Sequence, residues 1–221
     1  GTLSKAELAV VDREGHNLSI MPEKNMVGIE DPQLQSTYYI ELWDHKEENL
    51  RAVLFMLDVT PNGCVMKTGR MVNGDGCVSF EVVEWFERTM KEINERESKR
   101  SNKNRRIPNL MFYHTPIQQF MSLWSLETCH GWREESTCCS RLDTGLFDAA
   151  VKSNTRGMFV GHDHLNDFSG SFSSAPQLLL AYGHKTGMGS YQPPQGRGAR
   201  VIKLEVKPSE SSDEFNLHSW I

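Results

Sequence analysis

The sequence contains no long hydrophobic run and no excess of positive charge. Of its 221 residues 38% are hydrophobic, and no apolar stretch approaches the ~20 residues that a transmembrane helix needs. Lys and Arg number 24 against 29 Asp and Glu, which gives a net charge of −5. The basic run at residues 99–106 has no interleaved aromatic residue, which is typical of a solvated loop. We therefore expect no membrane segment in this chain and no nucleic-acid partner.

Cysteine is also scarce. The five cysteines are Cys64, Cys77, Cys129, Cys138 and Cys139. None has the paired spacing of a structural zinc site. Cys129 and either Cys138 or Cys139 would close a small loop by a disulfide in a secreted protein, whereas all five would stay reduced in a cytosolic one. Both alternatives remain open, and the compartment stays unknown.

Histidines follow two apolar runs that have the character of buried strands. Met158-Phe159-Val160 leads through Gly161 to His162 and His164, and residues 110–112 lead to His114. Ligands bind outside the carboxyl ends of strands in open α/β sheets, and neutral imidazole is a common ligand of transition metals. A single histidine in such a place is more often structural. The pair of strand ends together indicates a metal site with His114, His162 and His164 as ligands.

The remaining pattern predicts an α/β fold with a mixed sheet. Predicted strands cover residues 37–43, 51–59, 109–114, 157–160, 177–182, 199–206 and 214–221, and predicted helices cover 80–97, 118–126 and 144–152. Ser79 has the character of an N-cap, and residues 60–76 read as a plain loop because they hold four glycines and a proline. Asp58 either faces the site or caps a loop. The last three strands have no helices between them, so we expect an antiparallel edge that closes the sheet.

The motifs around the histidines resemble those of the calcineurin-like metallophosphoesterases, and in particular those of their purple acid phosphatase-like branch. The resemblance rests on residues 112–116 (Phe-Tyr-His-Thr-Pro) and 161–164 (Gly-His-Asp-His), and it extends through residues 127–135, Cys138-Cys139, residues 166–168, 182–187 and 198–201. It covers most of the chain from Tyr38 to Val206. The long block from Cys129-His130-Gly131 to Cys138-Cys139 makes it more specific than Gly-His-x-His alone.

The resemblance implies a four-layer α/β/β/α sandwich and a phosphoric ester hydrolase with a binuclear metal centre. It implies His114 and His162 on one ion and His164 on its neighbour, with two divalent or trivalent ions of iron, zinc or manganese. Two such ions activate a water and hold the phosphoryl oxygens during in-line displacement. Asn166 and Asp167 are candidates for orienting the imidazoles. The substrate would be a small phosphomonoester or a phosphoprotein.

His130 and Arg133 lie in the loop from Glu127 to Arg141, which is long for a plain connection. They are candidates for contacting an anionic group of the substrate, and the alternative is that they only hold the loop together.

Three ligand blocks of the resembled family are not found in this sequence: Asp-x-His, Gly-Asp and Gly-Asn-His-Asp/Glu. The nearest string, residues 14–17, has Glu-Gly-His-Asn in the wrong order. Residue 1 is Gly, so we expect residues 1–221 to be the C-terminal portion of a single phosphoesterase domain. The remaining ligands and the proton-donating histidine would lie upstream, and no catalytic residue is assigned in this chain.

Three hypotheses follow. The chain is part of an active binuclear phosphatase, or a catalytically inactive binding module with the same fold, or a hydrolase with one ion held by three histidines. Against the last stands the spacing of His162 and His164, whose side chains need not converge on one ion in an extended stretch.

Overall fold

The described part of the chain contains four helices and ten strands. The computed structural model describes residues 5–15, 19–22, 24–28, 36–46, 48–207 and 214–221. The helices are α1 (Lys5–Gly15), α2 (Phe80–Ser101), α3 (Gln119–Leu126) and α4 (Leu146–Lys152). The strands are β1 (Tyr38–Trp43), β2 (Leu50–Met56), β3 (Cys64–Val65), β4 (Met71–Val72), β5 (Asn109–Phe112), β6 (Thr155–Val160), β7 (Ser169–Gly170), β8 (Leu179–Tyr182), β9 (Val201–Lys207) and β10 (Glu214–Trp220). Of the string at residues 14–17, His16 and Asn17 lie outside the described residues.

A six-stranded mixed sheet has the order β1-β2-β5-β6-β8-β7. β2, β5, β6 and β8 are parallel, and β1 and β7 are antiparallel strands at the two edges. The four central strands are short apolar runs because both of their faces are covered. The predicted mixed α/β fold is therefore confirmed, and the carboxyl ends of β5, β6 and β8 lie side by side.

Helix α2 forms where the sequence predicts it. Ser79 Oγ accepts a hydrogen bond from the backbone N–H of Val82 and so caps the first turn. Asn102 ends the helix in the left-handed conformation. The buried side chains Val82, Phe86, Met90 and Ile93 recur at helical spacing on one face. Among the described residues no helix is both long and apolar enough to cross a membrane.

The two faces of the sheet bury different partners. Met111 and Met158 belong to the larger core, which includes the buried residues of α2, α3 and α4. Their neighbours Leu110 and Phe159 point to the opposite face, because side chains alternate along a strand. There they pack with Phe215, Leu204 and Leu217 of the β9–β10 hairpin. Helices, sheet and hairpin thus form three successive layers, and the second helical layer implied by the resemblance stays a prediction.

The last three predicted strands are arranged differently from our expectation. β8 lies inside the sheet, parallel to β6, and β9 and β10 pair with each other in a separate two-stranded sheet. The expectation of an antiparallel edge was wrong because it took the lack of helices as a sign of hairpins. The crossover from β6 to β8 instead consists of a loop and the short strand β7.

The glycine-rich segment at residues 60–76 is more than a plain loop. It contains the β3–β4 hairpin, and a disulfide joins Cys64 to Cys77. The bridge considered from the sequence, between Cys129 and Cys138 or Cys139, is not formed, and these three thiols are free. Sequence spacing could not identify the bonded pair, because Cys64 and Cys77 meet only after the segment has folded back on itself.

Candidate metal centre at the carboxyl edge of the sheet

Neighbouring parallel strands bring His114 and His162 together. β5 and β6 pair with Phe112 opposite Phe159, and the pairing continues past both strands because the N–H of Gly161 donates to the carbonyl of His114 at 3.0 Å. The His162 Nδ1 atom lies 3.3 Å from the His114 Nε2 atom. The two rings are perpendicular, with centroids 5.1 Å apart.

His162 has a backbone conformation that non-glycine residues rarely adopt. Its φ is +74°, in the left-handed region, which costs a non-glycine residue on the order of 1 kcal/mol or more. The turn is closed by a hydrogen bond from the N–H of Asp163 to the carbonyl of Gly161 at 3.0 Å. Such strain is characteristic of functional sites, and the imidazole of His162 faces that of His114.

The separation of the two ring nitrogens suits a shared metal ion. Two nitrogens that each lie about 2.0–2.1 Å from a tetrahedral zinc ion stand about 3.3–3.4 Å apart, and the observed separation is 3.3 Å. In the described parts of the chain no three His, Cys, Asp or Glu side chains cluster closely enough to hold an ion. His114 and His162 therefore fit two positions of a coordination sphere, and a complete sphere needs further ligands.

His164 has different surroundings. Its ring packs on Tyr191 with centroids 4.5 Å apart, and its buried Nδ1 atom has no hydrogen-bond partner among the described residues. Buried polar atoms are nearly always paired, so an unpaired nitrogen here calls for an explanation. A histidine that binds a metal ion through Nδ1 has no hydrogen-bond partner at that atom when the ion is absent. The assignment of His164 to a second ion stays a prediction.

Asp163, between His162 and His164, is buried and hydrogen-bonded. Its Oδ2 atom accepts a 2.6 Å hydrogen bond from the Tyr182 hydroxyl and a 3.2 Å bond from the N–H of Cys138. Burial raises the pKa of Asp163, and the hydrogen bond from Tyr182 opposes that shift. The buried side chain fixes the turn from inside, which leaves the histidines on either side of it less buried.

Asn166 and Asp167 hold the loop that contains His130 and Arg133. Asn166 Oδ1 accepts hydrogen bonds from the N–H groups of Glu134 and Glu135 at 3.1 and 3.2 Å. Asp167 Oδ1 accepts one from the N–H of Trp132 at 2.6 Å. These contacts attach residues 132–135 to the segment that follows the histidines.

Asp167 also orients an imidazole, and that imidazole belongs to His184. Asp167 Oδ2 lies 3.1 Å from His184 Nδ1, and the carbonyl of Gly196 lies 3.0 Å from the other ring nitrogen. His184 follows β8 through Gly183, just as His162 follows β6 through Gly161. That repeated pattern of strand, glycine and histidine is the signal by which the sequence could have pointed to His184.

A cleft of about 600 Å³ lies beside this network. Its lining includes His130, Trp132, His184, Arg197 and Trp220. Arg133 does not line it, and the buried Nε atom of Arg133 has no hydrogen-bond partner among the described residues. His130 and Arg133, paired as substrate contacts in the sequence prediction, therefore have different surroundings.

Two further acidic residues, Asp58 and Asp75, have different contacts. Asp58 Oδ2 accepts a 2.7 Å hydrogen bond from the N–H of Ser36, so its carboxylate caps a loop. Asp75, which our prediction passed over, places its Oδ1 atom 3.5 Å from the Nε2 atom of His162. The only sequence signal was the Gly74-Asp75-Gly76 triplet just before Cys77.

Three curated proteins of Arabidopsis thaliana are similar to this chain. Probable inactive purple acid phosphatase 29 is 32% identical over 125 residues, which are 55% of this chain and 31% of that protein. Probable inactive purple acid phosphatase 14 is 32% identical over 127 residues, 56% of this chain and 31% of that protein. Probable inactive purple acid phosphatase 28 is 34% identical over 101 residues, 45% of this chain and 24% of that protein. The chain is related to the purple acid phosphatase-like metallophosphoesterases.

The predicted relationship to this family is confirmed. The matched segment spans less than a third of each of the three relatives, at 31%, 31% and 24% of their lengths. No family model matches the chain, and no solved structure matches it either. The purple acid phosphatase-like relatives carry the words "probable inactive" in their names, so neither the hydrolytic activity nor the binuclear centre follows from the similarity.

Proposed function

We propose that this chain forms part of a metal-dependent phosphoric ester hydrolase, in which His114 and His162 bind one ion and His164 binds a neighbouring ion. The observation that carries the proposal is the 3.3 Å separation of the His114 and His162 ring nitrogens at the ends of adjacent parallel strands. The strained backbone of His162 and the unpaired Nδ1 atom of His164 support it.

Ions of iron, zinc or manganese would supply the positive charge that activates a water and stabilises the charge developing on the phosphoryl oxygens. The residues of this chain orient the ligands. Asp163 fixes the turn between His162 and His164 through the Tyr182 hydroxyl and the N–H of Cys138. Asn166 and Asp167 hold the neighbouring loop against that turn. The substrate is a small phosphomonoester or a phosphoprotein.

Substitution of the ligands in the full-length protein tests this proposal. We expect His114→Ala and His162→Ala each to lower the bound metal per chain and to reduce aryl phosphate hydrolysis at least ~10³-fold, because a ligand of the catalytic ion is lost. His218→Ala is the matched control, since His218 is an exposed histidine of β10 that faces Glu205. Metal content by mass spectrometry and hydrolysis of an aryl phosphate are the two readouts. Retention of most activity in either ligand variant would overturn the assignment.

A catalytically inactive module is the second candidate, and the names of the three relatives favour it. Under this reading the full-length, metal-loaded protein binds inorganic phosphate in calorimetry but does not hydrolyse an aryl phosphate. A full-length protein with two bound ions and turnover would exclude it. A single ion that needs His114, His162 and His164 together would support the third hypothesis instead.

A further inference from the structure

The segment between β2 and α2 is locked at its base. A disulfide joins Cys64 to Cys77. Thr60 pairs with Cys77 twice: the N–H of Thr60 donates to the Cys77 carbonyl at 2.9 Å, and the N–H of Cys77 donates to Thr60 Oγ1 at 3.0 Å. Gly76 lies so close to Thr60 that an added Cβ would be 1.6 Å from the Thr60 carbonyl oxygen. The backbone just before Cys77 therefore has little freedom.

The same segment is held on the other side of Asp75. The N–H of Gly63 donates to the carbonyl of Gly74 at 2.6 Å. Gly74 has a φ of +137°, and the side chain of Arg141 covers it, with Nε at 3.6 Å from the position of a Cβ. Asp75 is thus fixed between two immobilised glycines, Gly74 and Gly76. Its side chain is 41% exposed and points to the edge of the sheet, where its Oδ1 atom lies 3.5 Å from His162 Nε2.

This contact uses the ring nitrogen of His162 that does not face His114. Nδ1 is directed to His114, and Nε2 is directed to Asp75. Metal-binding histidines usually donate their second ring N–H to a carboxylate or carbonyl, which fixes the tautomer and the ring orientation. Asp75 Oδ1, 3.5 Å from His162 Nε2, stands on the side of the ring where such a carboxylate is found, and Nδ1 is left as the coordinating atom.

We propose that Asp75 is a positioning residue for His162 and that the segment closed by the Cys64–Cys77 disulfide holds it in place. The inference rests on the proposed function and deepens it, because it assigns a role in the metal centre to a loop that the similarity does not single out. Asp75 keeps the Nε2–H tautomer of His162, so that Nδ1 is free of a proton when an ion binds.

Zinc affinity of the metal-stripped full-length protein provides the first test. We expect Asp75→Asn to raise the zinc Kd by about 10- to 100-fold, the usual cost of losing a carboxylate behind a histidine ligand. Asp75→Glu should recover part of the affinity, because it keeps the carboxylate. Asn73→Ala is the matched control, an exposed polar residue of the same loop, and it should leave the Kd unchanged. Competition with a zinc chelator measures all four proteins.

A spectroscopic readout separates positioning from general damage. In metal-free protein with ¹⁵N-labelled histidine, Asp75→Asn should shift the ring-nitrogen resonances of His162, identified by their loss in His162→Ala. Asn73→Ala should leave them in place. Unchanged His162 resonances in Asp75→Asn would overturn the proposal.

The role of the disulfide is tested by coupling. The pair Cys64→Ser/Cys77→Ser should weaken zinc binding to a similar degree, and adding Asp75→Asn to that pair should cause little further loss, since both changes act through the same contact. If the cysteine pair does not fold, Gly76→Ala takes its place, because its Cβ collides with Thr60 while the disulfide stays intact. Fully additive effects, or wild-type affinity without the disulfide, would contradict the proposal.

Failure of this inference can be told apart from failure of the proposed function. If His162→Ala leaves the zinc Kd unchanged, the metal centre itself is wrong. If His162→Ala weakens binding and Asp75→Asn does not, the centre stands and only the role of Asp75 is wrong.

Discussion

At the scale of single residues, the segment from His162 to Asp167 divides its side chains between two tasks. Asp163, Asn166 and Asp167 are buried and accept hydrogen bonds from neighbouring loops and from Tyr182. His162 and His164 are less buried; Nδ1 of His162 lies 3.3 Å from His114, and the buried Nδ1 of His164 has no hydrogen-bond partner among the described residues. The acidic and amide residues thus fix the path of the backbone, and that path determines where the two imidazoles lie.

The buried pair of Tyr182 and Asp163 gives a stability prediction. Tyr182→Phe removes the hydroxyl that donates to Asp163 Oδ2 at 2.6 Å and leaves a buried carboxylate short of a donor, so we expect the free energy of unfolding to fall by about 1–3 kcal/mol. Urea unfolding followed by circular dichroism measures it. Tyr191→Phe is the control, because the Tyr191 hydroxyl also donates to a carboxylate, that of Glu135 at 2.9 Å, but Tyr191 is 51% exposed. Equal losses in both variants would contradict the account.

The free thiols give a second prediction at this scale. Burial, with the nearby carboxylate of Asp163, raises the pKa of Cys138 to about 11, well above the ~8.5 of an ordinary thiol. The reactive thiolate is therefore scarce at pH 8, and Cys138 should react with iodoacetamide slowly although it is exposed. Its rate should rise steadily between about pH 8 and 11. Peptide mass spectrometry follows the rate, and a plateau near pH 9 would show that the pKa is not raised.

At the scale of secondary-structure elements, the sequence predicts the helices and the central strands well and their partners poorly. α2 was predictable because Ser79 caps it and its apolar residues repeat at helical spacing. β5 and β6 were predictable as apolar runs that end in histidine. The place of β9 and β10 was not, since alternating residues do not reveal which sheet a strand joins. Asp75 was missed for a similar reason, because its contact depends on a disulfide between cysteines that no short motif connects.

The hairpin layer gives a prediction at this scale. Phe215 of β10 is 7% exposed and packs with Leu110 and Phe159 of the main sheet. Phe215→Ala should lower the free energy of unfolding by about 3–5 kcal/mol, the usual cost of removing a buried aromatic ring. His218→Ala, on the same strand but 53% exposed in its side chain, should change it by no more than about 0.5 kcal/mol. Urea unfolding compares the two variants, and a small loss in Phe215→Ala would mean that the hairpin does not cover the sheet.

The Cys64–Cys77 disulfide around the β3–β4 hairpin gives a further prediction. Cys64 and Cys77 are bonded, and the other three cysteines are free. Complete alkylation under denaturing conditions should therefore modify three thiols without reductant and five after reduction. Intact-mass measurement counts the modified thiols, and five without reductant would exclude the bridge that holds Asp75.

At the scale of the whole molecule, the ends of β5 and β6 bring the imidazoles of His114 and His162 together, where we propose a metal centre. The chain matches less than a third of the length of each relative. In the described ranges these two rings have no third ligand that would complete a site, and the expectation that further ligands come from other parts of the protein stays a prediction. Asp163, the Asn166–Asp167 pair and the disulfide-closed segment all hold the polypeptide around the same edge of the sheet.

A crystal structure of the full-length protein grown with zinc, with anomalous diffraction recorded at the zinc edge, tests the central claim most directly. We predict an anomalous peak about 2.0–2.1 Å from both His114 Nε2 and His162 Nδ1. Zinc bound elsewhere, or no zinc between these two nitrogens at saturating concentration, would show that the two histidines do not share an ion.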